Sequence, residues 1–131
     1  MPTAPHPFRT AVESEDLEAM VGVLADDIVL WSPLAFAPFR GKPTVARLLE
    51  VLMNEVFADF RYTDELRADD GTHALIFQAN VGDRQVHGLD LLRPGPDGLI
   101  NDFTVMVRPA SALEALGAAV GMRYDYIAGT E

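Results

Sequence analysis

The sequence contains no cysteine. Disulfides, thiolate nucleophiles and cysteine-ligated metals are therefore excluded. Basic residues are scarce, ten against twenty acidic ones, for a formal net charge of -10. That balance argues against a nucleic-acid partner, whose phosphates attract basic surfaces. It argues equally against an anionic membrane face. No stretch approaches the ~20 apolar residues of a membrane span. Met1 to Phe8 lacks a charged region followed by an apolar run, so no signal peptide is visible and a cytoplasmic location is expected. Histidine is limited to His6, His73 and His87, scattered without metal-ligand spacing. No phosphate-cradling glycine loop and no Gly-x-Ser-x-Gly elbow occurs. No cofactor and no metal is expected.

What remains is a hydrophobic chain of 131 residues, the length of one domain. Nearly half of it is apolar, enough for a core and a modest cavity. Three segments read as helices. Phe8, Ala11 and Val12 share a face, and Leu17, Met20, Val21 and Leu24 repeat at helical spacing beyond an acidic interruption. Ser14 or Asp16 is placed to cap the second piece. Val45, Leu48, Leu49, Leu52, Met53, Val56 and Phe57 form a continuous helical stripe behind Pro43. Ser111 with Glu114 reads as a capping box for a third helix with Leu113, Leu116 and Val120 on its apolar face. The tail from Tyr124 is expected to be poorly ordered unless it docks.

Strands fill the rest. Ile28 to Trp31 is a short β-rich run closed by Pro33. Asp69-Asp70-Gly71, Gly82-Asp83 and Pro94-Gly95-Pro96-Asp97-Gly98 are turn signals. They separate strands at roughly 60–68, 73–81, 85–93 and 99–108. Short turns make these antiparallel neighbours. Helices gathered on an antiparallel sheet give an α+β fold, with residues 109–131 as a C-terminal helix and tail.

Four stretches in this order resemble the nuclear transport factor 2-like superfamily, which includes ketosteroid isomerase, limonene epoxide hydrolase and the SnoaL-like polyketide cyclases. They are Ser14-Glu15-Asp16-Leu17-Glu18-Ala19, Leu24 through Pro33, Phe39-Arg40-Gly41-Lys42-Pro43, and Leu89-Asp90-Leu91-Leu92-Arg93 with Asp97-Gly98-Leu99-Ile100. The resemblance covers about residues 8 to 108. It implies a cone-shaped, curved antiparallel sheet whose concave face holds an apolar pocket closed by helices. It also implies a homodimer through the convex sheet face, and the apolar residues on both faces of the last strand (Phe103, Val105 and Val107 against Met106) agree with a covered convex side.

Strand alternation then sorts the side chains. Asp90 shares a face with Val86, Gly88 and Leu92, and matching to the family points that face inward. Ser32, Leu75, Phe77, Ala79, Phe103, Val105 and Val107 are expected towards the cavity. Phe8 enters from the first helix, and Phe36 and Phe39 line the mouth. His87, Asp102 and Trp31 fall on the opposite face. Ketosteroid isomerase uses an aspartate base, a tyrosine and a protonated aspartic acid. The equivalent positions here are Ser32, Phe8 and Asp90. Serine is no base without a partner to take its own proton, and phenylalanine donates nothing, so steroid isomerisation is not expected. Ser32 either meets a ligand carbonyl or bonds backbone beside Pro33. Asp90 in apolar surroundings favours its neutral form and suits an acid or polariser, unless Arg93 or Arg108 pairs with it. The expected partner is a small apolar molecule. Two functions remain: an enzyme of proton transfer, cyclisation or hydration, and a non-catalytic binding module. Limonene-epoxide-hydrolase chemistry needs a polar cluster that does not assemble on the inferred inner face.

Overall fold

A computed structural model describes residues 4–129. The acidic interruption breaks the N-terminal helical segment into α1 (Pro7–Glu13) and α2 (Leu17–Gly22). The chain turns at Glu15, whose φ of 54° lies in the left-handed region. Asp16 is the cap of α2, its carboxylate accepting from the Ala19 amide at 3.0 Å, while Ser14 ends α1. The long apolar stripe forms α3 (Lys42–Val51), which runs on as one π-helical turn, Leu52–Val56.

Six strands make one curved, open sheet in the order β2-β1-β6-β5-β4-β3. The meander of β3 (Ala58–Arg67), β4 (His73–Val81), β5 (Arg84–Pro94) and β6 (Ile100–Arg108) is antiparallel throughout. The N-terminal strand β1 (Leu24–Trp31) lies parallel to β6 and carries a register shift between Leu24 and Val29. Its first half escaped the sequence pattern because the exposed pair Asp26-Asp27 breaks the alternation. Phe39–Arg40 forms a two-residue strand, β2, where only a loop was expected, with Leu30 opposite Phe39.

The C-terminal segment departs most from expectation. Helix α4 (Ala110–Gly121) starts one residue before Ser111, behind Pro109, and no side chain caps it. Ser111 therefore sits inside the first turn, and the capping box does not form. The buried face is Ala112, Leu116 and Val120, with Leu113 only half-buried. Within the tail, α5 (Tyr124–Ala128) docks on α3 through the fully buried Ile127, and residues 130–131 lie outside the described residues. Arg47 Nε donates to the Ile127 carbonyl at 3.0 Å, and the Tyr126 hydroxyl donates to Glu50. The core lies between the concave sheet face and the helices, and no helix among the described residues is long and apolar enough to cross a membrane.

Candidate functional site

The side chains of β4, β5 and β6 alternate across the sheet, and the register places Leu75, Asp90 and Val105 side by side on the concave face. Two residues away in β5, Gly88 stands opposite Phe77. A Cβ on Gly88 would meet Phe77 Cζ at 2.2 Å. The glycine therefore lets the Phe77 ring lie across the strand, where it stacks on Phe60 with centroids 4.7 Å apart. Phe57, Phe60 and Tyr62 complete an aromatic group around it.

Asp90 is 6 % exposed and is the only buried charged or polar residue among those described. Its partner is neither Arg93 nor Arg108. The Tyr62 hydroxyl donates to Asp90 Oδ2 at 3.2 Å. Arg93 is exposed and opposite in parity, and Arg108 lies instead 3.1 Å from the His87 ring on the outer face. Burial without a cation pushes the Asp90 carboxyl up to about 7, because the charged form loses its hydration. The Tyr62 bond works in the other direction, favouring the carboxylate. The same burial, followed by the field of Asp90, raises Tyr62 well above its ordinary value, so the phenol keeps its proton. Oδ2 takes the Tyr62 hydrogen.

The hollow beside this pair has a volume of about 50 Å³. Apart from Asp90, Tyr62 and Ser32 its walls are apolar among the described residues. Phe8 and Val12 come from α1, Leu48 and Leu49 from α3, and Leu116 and Val120 from α4. Phe8 meets Phe103 edge to face at 5.2 Å. Phe39, Phe77, Phe103 and Val105 also line it, as the sequence suggested. Ser32 lines it too, but its Oγ accepts from the Leu34 amide at 3.3 Å and so closes the turn at Pro33.

Two expected ligand contacts lie elsewhere. Phe36 is 94 % exposed and leans towards Trp31 on the outside of the loop, with centroids 6.2 Å apart. It lines neither the hollow nor the depression outside it, because the loop turns its ring out to solvent against Trp31. Leu75 is completely buried in the core beneath the cavity wall and does not line the hollow. Asp102 accepts from Trp31 Nε1 at 3.2 Å and stands with it on the outer face. Tyr62 was the residue the sequence reading missed. Two signals pointed to it: it shares strand parity with Phe60, and it is the one tyrosine of three outside the C-terminal tail. No group of three or more His, Cys, Asp or Glu among the described residues could hold a metal ion.

The SnoaL-like domain family matches residues 7–108. A steroid delta-isomerase from Pseudomonas aeruginosa is 40 % identical and superposes with a TM-score of 0.82, over 89 % of this chain and 85 % of that one. A protein with a cystatin-like fold from Silicibacter pomeroyi is 31 % identical with the same TM-score, over 89 % of this chain and 82 % of that one. An NTF2-like protein from Burkholderia xenovorans, 13 % identical, shares the fold with a TM-score of 0.65 over 77 % of each chain. No curated protein matches the chain.

Proposed function

The chain belongs to the SnoaL-like family, and from that premise we propose that it binds a small, mostly apolar molecule and polarises one oxygen of it through Asp90. The observation that carries this reading is the Tyr62–Asp90 hydrogen bond at the wall of an otherwise apolar hollow. A carboxyl balanced near neutrality donates a hydrogen bond when protonated and accepts a proton when ionised. Asp90 is thus suited to donate a hydrogen bond to a ligand carbonyl oxygen, to pass its proton to that oxygen as an enol forms and to take it back as the enol collapses, while solvent water carries the proton of the α-carbon. Tyr62 holds the carboxyl in place and supplies a second hydroxyl dipole. The name of the Pseudomonas aeruginosa relative, a steroid delta-isomerase, accords with proton transfer of this kind. Steroid isomerisation itself is not proposed here, because the family's base and tyrosine positions are Ser32 and Phe8.

One observation favours the alternative, a non-catalytic binding module: Ser32 Oγ is engaged as the acceptor of the Leu34 amide, the structural role of a serine beside a turn. Proton exchange separates the two. A ketone bearing exchangeable α-protons, such as 2-butanone, is incubated with the protein in D2O and followed by NMR. Catalysed deuterium uptake that Asp90→Asn abolishes supports the enzyme. Stabilisation by ketones without exchange supports the module. No thermal shift with any ketone, in wild type or variant, rejects the pocket altogether. We also propose that the convex sheet face carries a second copy of the chain.

A further inference from the structure

The hollow at Asp90, at about 50 Å³, is far below the ~300–1,000 Å³ of pockets that enclose a drug-sized molecule. It is not isolated. A larger depression of about 640 Å³ lies outside it, between the loop 32–39 and α4. Ser32, Pro33, Leu34, Phe39 and Val120 line both hollows, so the two share one wall. At the junction, Gly117 faces Leu34: a Cβ there would stand 3.6 Å from Leu34 Cδ2. A Cβ at 117 would already be in van der Waals contact with Leu34, so a larger side chain would crowd the wall of the outer depression.

The chemistry of the outer hollow is as informative as its position. Among the described residues lining it, Glu114 is the only one charged at neutral pH, and neither lysine nor arginine is present. A phosphate or carboxylate on the ligand would find no cation there. A second depression, which shares Val12, Met53, Phe57, Phe60 and Tyr62 with the inner hollow, is edged by Glu13, Glu15, Asp59 and Arg61, so its rim is charged where that of the loop 32–39 depression is mostly apolar. The α4 wall also lies beyond residues 7–108, the stretch shared with the family.

We propose that the depression between loop 32–39 and α4 is a second subsite, which holds the uncharged apolar body of a chain-like ligand whose oxygen-bearing head reaches Asp90. Leu34 and the missing side chain of Gly117 set the width that can pass. The inference rests on the Asp90 hollow being a ligand site, and the test separates the two.

Affinities of 2-butanone and 2-decanone for the full chain are measured by ligand-observed NMR, with circular dichroism melting as the check on folding. The long ketone is expected to bind wild type at least about tenfold more tightly, from the methylenes it buries. Gly117→Leu and Leu113→Asp, both outside the inner hollow, are expected to remove that advantage and leave 2-butanone within about twofold, as independent sites do. Equal affinity of the two ketones, or a 2-decanone affinity untouched by both variants, overturns the subsite. Where Gly117→Leu fails to fold, Leu113→Asp decides. Failure of both ketones to bind wild type, or undiminished binding by Asp90→Asn, brings down the Asp90 reading and the subsite with it.

Discussion

Asp90 draws its properties from what surrounds it, since the carboxyl has Tyr62 for a partner and no cation. Its native value of about 7 lies above the ordinary 3.8. Between those values the native state holds a proton that the unfolded chain releases. Stability therefore falls as pH rises through this window, by at most ~1.4 kcal/mol per unit, and levels off above it. Asp90→Asn should remove this fall, so its stability relative to wild type should be greater at pH 8 than at pH 5. Urea midpoints at the two values measure it, and an unchanged difference would contradict the buried acid. Because the Tyr62 bond favours the carboxylate, Tyr62→Phe should move the Asp90 titration higher, as read by carboxyl carbon NMR. Gly88 is the other decisive residue. Gly88→Ala drives a methyl into the Phe77 ring and should cost ~1–3 kcal/mol, as overpacking does. Phe77→Leu added to it should recover part of that loss in urea unfolding, a coupling expected only of residues in contact.

At the level of elements, α1, α3 and α4 enclose the hollow on its helical side. Helix α1 is held down at its start by side chains. His6 caps it, accepting from the Phe8 amide at 3.0 Å, while the His6 amide donates to Glu65 of β3 at 2.9 Å. Arg9 joins Glu13 and Glu65, each at 3.2 Å. These contacts seat Phe8 and Val12 over the cavity. Helix α5 is anchored chiefly by one side chain, Ile127, beneath which Arg47 satisfies the helix carbonyl. A five-residue helix has no stability of its own in water, so this packing is what forms it. Ile127→Ala should cost ~2–5 kcal/mol in chemical denaturation. A loss below ~0.5 kcal/mol, the level of an ordinary surface change, would show that α5 does not depend on this anchor.

For the whole molecule, the outer sheet face is the largest question. Leu89 and Met106 stand opposite each other there, with Ile76 and Leu91 beside them. Met106 is 56 % exposed in the single chain. An apolar row at the centre of an open sheet face calls for cover, and a second copy is the proposed cover. Light scattering at micromolar concentration should report a dimer, and Leu89→Asp with Met106→Glu should reduce it to a monomer. A strict monomer in wild type would reject the proposal.

Much of this architecture was legible along the chain. The 3-4 spacing of the α3 stripe, the turn dipeptides of the meander and the parity of β5 all depend on neighbours within a few residues, which the sequence displays. Asp90 belongs to this class only in part: alternation sets it on one face with Val86, Gly88 and Leu92, but Leu89 and Leu91 make the other face apolar too, and it was the family resemblance that pointed the Asp90 face inward. The partner of Asp90 does not, because Tyr62 lies 28 residues away on a strand two places along the sheet, and only the pairing of β3, β4 and β5 brings its hydroxyl to Oδ2. The outward turn of Phe36, the docking of α5 and the approach of Gly117 to Leu34 are decided in the same way. Each depends on how separate elements come to rest against one another, a matter of shape and packing that local spacing does not encode.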